Sequence, residues 1–188
     1  MSIYLSLDLD FWEKFPRKLF DAVAGLSCPK KIVMEHHDLL PHINRQSFET
    51  LVNVDFHSDL ANCDRVGGRR RNPQLNDGTW GNHVHRKGQR EFIWSCPDYD
   101  RCVTRLAGAC WQGDNTPFVK NCKEVCGWKR TKIRRKWIPK LRDVVAVGIA
   151  VSRDYTTGAV IHAFVDWFSL NRFYFDCSDV NCNLFTEA

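Results

Sequence analysis

Three short apolar runs near the start of the chain each stop on acidic or histidine residues, and this repetition restricts the fold more than any other feature. The first run, Ile3 to Leu9, ends in Ser6-Leu7-Asp8-Leu9-Asp10. The second, Lys31 to Glu35, opens on His36-His37-Asp38. The third, Leu51 to Asp55, continues as Asp55-Phe56-His57-Ser58-Asp59. Apolar runs of this length, rich in β-branched residues, read as buried strands. Between the first two, Phe15, Leu19, Phe20 and Val23 recur at helical spacing. Pro16 suits a first turn and Gly25 a C-terminal cap, which predicts a helix over Lys14 to Gly25. A second helix is expected near His36 or after Pro41. Strand, helix, strand, helix, strand is the rhythm of an α/β fold, a mostly parallel sheet with helices on both faces. In such sheets ligand sites lie beyond the carboxyl ends of the strands. All three charged motifs sit there.

The rest of the chain divides less evenly. Residues 61 to 90 are rich in Asn, Gly and Arg and read as a long loop, which carries Gly78-Thr79-Trp80-Gly81-Asn82-His83-Val84-His85. Loops of this length in compact domains are usually functional or disordered. A Trp and two His together favour an active-site loop. Glu91 to Ser95 and Val144 to Val151 read as strands, Val160 to Phe168 as a helix and Arg172 to Phe175 as a last strand. Residues 97 to 137 show no clear periodicity. The length of 188 residues and 44% apolar content fit one domain over residues 1 to 188.

No apolar run approaches the length of a membrane span, and the N-terminus lacks the pattern of a signal peptide. A cytoplasmic protein with no membrane partner is expected. Nine cysteines are present, but no pair has Cys-x2-Cys spacing; Cys122 with Cys126 and Cys177 with Cys182 come nearest. Reduced, partly buried thiols are expected, with a structural zinc in the second half of the chain as the alternative. The net charge of +5 is concentrated in Arg69-Arg70-Arg71 and in the stretch Lys129 to Arg142, flanked and interrupted by Trp128 and Trp137. Such runs are commonly solvated faces. Otherwise they bind an acidic polypeptide or nucleic acid; the polypeptide is preferred here and nucleic acid is not expected. Homo-oligomerisation is left open.

The chemistry is concentrated in Asp8, Asp10, Asp55, His57, Asp59 and one of His36 or His37. Carboxylates clustered without a cation would repel one another and be costly to bury. Oxygen-rich ligands with one or two imidazoles fit Mn²⁺ or Mg²⁺ better than a structural zinc. Two bridged ions would lower the pKa of a shared water, the chemistry of metal-assisted hydrolysis. Asp59 would also orient that nucleophile, and His83, with His85 as the alternate, would carry a proton to the leaving group.

These motifs resemble those of the ureohydrolases in the arginase and deacetylase superfamily. Asp55-Phe56-His57-Ser58-Asp59 resembles the Asp-Ala-His-x-Asp strand of that family, Ser6-Leu7-Asp8-Leu9-Asp10 its Ser-Phe-Asp-x-Asp strand, and His37-Asp38-Leu39 its His before a Ser-Leu pair. The motif order is changed, since Asp-x-Asp comes first here and late in arginases. The resemblance therefore implies a three-layer, circularly permuted and shortened arginase-like fold, similar to the peptide arginases that convert arginine side chains of ribosomally made precursor peptides to ornithine, with release of urea. It implies two Mn²⁺ ions per chain. Asp8 and Asp55 would bridge them, Asp10 and His57 would bind one, and Asp59 and His37 the other. Ile32-Val33-Met34-Glu35 resembles the strand whose Glu receives the guanidinium, a carboxylate matched to paired donors. Gly81-Asn82-His83 resembles the Gly-Asn-x-His loop of the proton-shuttle His, one residue shorter; matching Gly78-Thr79-Trp80 to a His-Gly-Thr motif puts Asp77 in that place instead. Glu35, Trp80 and Asn82 are the expected substrate contacts. An arginine-containing precursor peptide is the expected partner. The alternatives are a small-molecule guanidino hydrolase, a deacetylase-like amidohydrolase, a two-metal phosphoesterase and a basic binding module without chemistry.

Overall fold

The apolar runs form the centre of one six-stranded sheet. The structure is a computed structural model that describes residues 1–60, 65–66, 69–70, 75–76, 78–85, 90–97 and 128–178. Its strands are β1 (Ile3–Asp8), β2 (Lys30–Val33), β3 (Thr50–Val54), β4 (Arg65–Val66), β5 (Arg69–Arg70), β6 (Glu91–Cys96), β7 (Arg130–Arg135) and β8 (Val144–Ala150). The main sheet has the order β2-β8-β1-β3-β6-β7, and every pairing in it is parallel. β4 and β5 pair separately as an antiparallel ribbon. The α/β class with a parallel sheet is therefore what the chain adopts.

Alternation along the central strands decides what each face does. Ile3, Leu5 and Leu7 of β1 and Val52 and Val54 of β3 point into one apolar cluster. Helices α1 (Arg17–Ala24) and α3 (Gly158–Asn171) cover it, through Phe20, Val23, Phe164, Trp167 and Phe168. The Trp167 indole N–H donates to Asp21 Oδ1 at 2.8 Å and ties α3 to α1. Each fully buried side chain of this size contributes roughly 1.5–3 kcal/mol. The other face carries Tyr4 and Leu51, packed with Leu39, Ile43 and Trp80. Helix α2 (Leu40–Arg45) and the 3₁₀ turn His36–Leu39 lie on that side. Ser6, Asp8 and Asn53 belong to this second face by the same alternation.

Gly148 makes the second face accessible to the turn. A Cβ at that position in β8 would stand 2.5 Å from Tyr4 Oη and 2.7 Å from Leu39 Cδ1. A glycine in the middle of a strand is unfavourable by itself; here it lets the His36–Leu39 turn press against the sheet.

One expected strand is absent, and strands appear where none is expected. Arg172 to Phe175 does not form a strand: Arg172–Tyr174 is a 3₁₀ turn, and only Asp176 beyond it bridges to Lys31. The unassigned basic stretch contains a true strand, β7. Its polar, exposed pattern hid it, because an edge strand needs little apolar periodicity. Among the described residues, no helix is long and apolar enough to cross a membrane. Cys28 is a half-buried free thiol among the described residues, and Cys96 is buried; the pairing candidates Cys122, Cys126 and Cys182, with Arg71 and Asp77, lie outside the described residues.

Candidate metal centre

Both acidic motifs fold the same way, as turns that close on their own side chains. β1 ends at Asp8, whose Oδ1 accepts the backbone N–H of Asp10 at 3.1 Å. β3 ends at Val54, and Asp55 Oδ1 accepts the N–H of His57 at 2.7 Å. A short carboxylate side chain competes well for a backbone donor two residues on. Asp10 and His57 are thus brought in by local turns and not by strand alternation as the spacing alone implied. Asp59 follows with φ of 56°, a left-handed conformation that Asp tolerates better than most residues.

The histidine is His36 and not His37. Glu35 is still extended, and the 3₁₀ turn starts at His36. Successive side chains in such a turn point about 120° apart, so His36 faces inward and its neighbour cannot. His36 is 1% exposed, with Nδ1 3.0 Å from Asp8 Oδ2, 3.0 Å from Asp55 Oδ2 and 3.2 Å from Asp59 Oδ2. His37 is about one-third exposed, with Nε2 3.6 Å from Asp38 Oδ1. His36, and not the expected His37, is therefore the histidine that the fold brings among these carboxylates.

Two groups of side chains are close enough to hold a cation. Asp8, His36 and Asp55 form one; Asp10, Asp55 and His57 form the other, and within each the ligand atoms lie within 4.8 Å of one another. Asp55 is common to both. His57 Nδ1 is 3.7 Å from Asp10 Oδ2, and its side chain is 39% exposed, so the second group opens to solvent while the first is sealed. Tyr155, an exposed side chain, stands at that opening with its ring 6.2 Å from His57.

A ring of neutral donors holds the carboxylates in place. Ser152 Oγ donates to Asp8 Oδ2 at 2.6 Å. Asn53 Nδ2 reaches Asp55 Oδ2 at 3.3 Å and Asp59 Oδ2 at 3.1 Å. Trp80 Nε1 donates to Asp59 Oδ2 at 2.7 Å, and its ring lies 4.7 Å from that of His36. Ser6 Oγ is 2.7 Å from His36 Nε2. With Nε2 engaged by Ser6, Nδ1 faces the three carboxylates. Such partners fix the tautomer and aim of a ligand histidine.

Trp80 was expected at the substrate; it is instead fully buried and committed to Asp59. Its turn, Trp80–His83, is held against the cluster by Gly81 N–H donating to Asp59 O at 3.1 Å. A Cβ at Gly81 would meet Leu60 Cδ2 at 2.8 Å and the Asp59 backbone oxygen at 3.0 Å, so a larger residue would have to push Leu60 aside. Asn82 is buried in the same turn, its N–H on Thr79 O at 2.9 Å. His83 Nε2 is buried without a hydrogen-bond partner among the described residues. His85 is exposed, its N–H donating to Asn44 Oδ1. Glu35 is half-buried at the start of the His36 turn. Ser6 and Asn53 went unnoticed in the sequence, although each lies two residues before a ligand on the same strand face. Ser152 lies 144 residues from Asp8, too far for a local pattern to pair the two.

The electrostatics are those of a site with too much negative charge. Burial, and then the Asp55 carboxylate, push Asp8 and Asp59 above the usual carboxylate range, and the same causes raise Asp10 to about 7. Asp55 is itself held low: burial opposes ionisation, but the close approach and charge of His36, 3.0 Å away, outweigh it. Burial works against a charged His36, yet Asp55 and Asp8 raise its pKa well above normal. Despite three oxygens near 3 Å, His36 Nδ1 has no hydrogen bond of acceptable geometry, and Asp10 Oδ1 is buried without a partner. Oxygens and a nitrogen that converge in this way could hold a metal ion. Comparison of the chain with protein-family models, curated proteins and solved structures gave no match.

Proposed function

We propose that this chain is a hydrolase dependent on two Mn²⁺ ions, acting on the guanidino group of arginine side chains in a peptide to give ornithine and urea. The observation that carries the reading is the pair of carboxylate–imidazole groups sharing Asp55. The deep group would be Asp8, His36 and Asp55, and the open group Asp10, Asp55 and His57. Bound there, the ions would supply a water acidic enough to attack at neutral pH. The permuted, three-layer arginase-like architecture belongs to the same reading, supported by ligands at the C-terminal ends of β1 and β3 in a parallel sheet.

The chain's own groups divide the work. Ser6, Asn53, Ser152 and Trp80 hold the ligand atoms before substrate arrives, so no reorganisation is needed at reaction. Asp59, gripped by Trp80 and Asn53, orients the attacking water. Glu35 takes the guanidinium through paired N–H donors. The oxygen of water adds to the guanidino carbon, the bond from that carbon to the side-chain nitrogen breaks, and a proton goes to the departing amine. His83, whose Nε2 lacks a partner among the described residues, is the group proposed to carry that proton. The exposed approach past His57 and Tyr155 suits a side chain presented on a polypeptide.

The test is urea release with Mn²⁺ supplied, across an arginine-containing peptide, free arginine and agmatine. The peptide should lose about 42 Da per arginine, the mass of the guanidino carbon unit replaced on hydrolysis. Asp10→Asn should abolish the release. Absence of urea from every guanidino compound, with metal bound, would overturn the reading, and cleavage of a phosphodiester instead would redirect it.

A further inference from the structure

We propose that β7 is a docking strand for an extended acidic peptide segment, which adds to the edge of the sheet that β7 forms among the described residues and leads toward the Asp–His cluster. β7 is the last strand of the sheet and pairs, among the described residues, only with β6. Glu91 N–H bonds to Glu49 O and Asp55 N–H to Ser95 O, so the odd residues of β6 face β3 and the even ones face β7. Lys136 N–H accordingly reaches Cys96 O at 2.8 Å. In a parallel ladder this leaves the backbone N–H and C=O groups of Thr131, Ile133 and Arg135 directed outward. They form a template for one more strand.

The charge on this edge selects the occupant. Lys129, Arg130, Lys132, Arg134, Arg135 and Lys136 fall within eight consecutive residues that contain no acid. Lys132 is paired with Glu91 at 2.6 Å. Among the described residues no carboxylate pairs with Arg130, Arg134, Arg135 or Lys136, and all four are exposed. A second copy of this chain pairing through the same edge would bring two such rows together, which like-charge repulsion opposes. Nucleic acid is disfavoured for a different reason. Single strands need exposed aromatic faces as well as cations, but Trp128 is fully buried and the half-buried Trp137 is already covered by the Arg134 guanidinium at 4.8 Å. An acidic extended peptide satisfies both the outward backbone groups and the unpaired cations. β7 is parallel to β3 and lies two strands away, about 10 Å. Its C-terminal end is at the same end of the sheet as Asp8 and Asp55. That the docked segment is part of the substrate rests on the peptide reading given above; the docking itself does not.

Binding is measured on the full chain by fluorescence anisotropy of a labelled peptide alternating Glu with Val. Its controls are the same peptide with alternate residues replaced by Pro, a Lys-for-Glu version, and a single-stranded oligonucleotide of equal charge. The acidic peptide should bind, and added salt should weaken it. The Pro version should bind at least about tenfold more weakly, because it cannot complete the ladder. The triple variant Arg130→Ser, Arg134→Ser, Arg135→Ser should lose about tenfold or more with an unchanged unfolding temperature. If that variant does not fold, Arg135→Ser and the peptide comparisons on the parent chain still decide. No binding of the acidic peptide, equal binding of the Pro version, or tighter binding of the oligonucleotide overturns the proposal. Urea release from a short peptide without an acidic segment is read separately. Its absence with docking intact counts against the hydrolase reading, and its presence without docking counts against the strand.

Discussion

Replacing Asp55 with Asn removes the one carboxylate that serves both groups of ligands. Within each group the ligand atoms lie no more than 4.8 Å apart. Two ionised carboxylates at about that separation repel by about 3.5 kcal/mol at an effective dielectric constant of about 20. Asp55 raises Asp8, Asp10 and Asp59 in this way. In the metal-free chain the substitution relieves that repulsion while removing a partner of His36, so stability should stay close to the parent's. Metal changes the comparison. A site filled at a thousand times its Kd adds about 4 kcal/mol, which in a domain of this size is roughly 8–16 °C in unfolding temperature. The parent should gain that increment for each of two sites. Asp55→Asn should gain neither, and Asp10→Asn should keep the one from the Asp8–His36–Asp55 group. The assay is thermal unfolding in EDTA and in excess Mn²⁺, with bound metal counted by mass spectrometry. If Asp55→Asn keeps the Mn²⁺-dependent gain, or if Asp10→Asn loses as much as Asp55→Asn, the shared-ligand geometry is wrong.

Three further outcomes follow from the same site. With Asp10 raised to about 7, its proton favours the folded metal-free chain below the unfolded value near 4. That contribution disappears as pH rises through about 7, and the one from His36, whose pKa is also raised, is lost in the same sense at higher pH. From Asp10 alone, stability in EDTA should therefore fall by about 2.5 kcal/mol between pH 5 and 8, while the stabilisation by Mn²⁺ grows over the same interval; thermal unfolding across pH, with a flatter profile for Asp10→Asn, checks the sign. His36→Ala should lose metal at the buried group while His37→Ala keeps it, as isothermal titration with Mn²⁺ would show; the reverse order would restore His37 as the ligand. Ser152→Gly keeps a residue suited to φ of 45° but removes the hydroxyl on Asp8, and metal affinity should drop by about 10–100-fold; an unchanged affinity would make that hydrogen bond incidental.

The local code of this chain is short-ranged, and that is the part its sequence determined. Apolar runs of strand length, the helical spacing from Phe15 to Val23, and Asp-x-Asp and Asp-x-His motifs at strand ends depend on a few neighbouring residues, so they specify a parallel α/β sheet with acidic ligands at its C-terminal edge. The turns that bring Asp10 and His57 inward are also local, since each closes on a carboxylate two residues away. Only the tertiary structure decided the rest. Whether His36 or His37 enters the cluster depends on where the strand gives way to a 3₁₀ turn, and on Gly148 letting that turn approach. Trp80 changed from a presumed substrate contact to the donor for Asp59 because the loop folds back under the site. Ser152 reaches Asp8 because β8 lies beside β1, and β7 emerged from a basic stretch whose periodicity is weak because an edge strand buries little. These are contacts between distant parts of the chain, set by how elements pack, and no local pattern of residues encodes them.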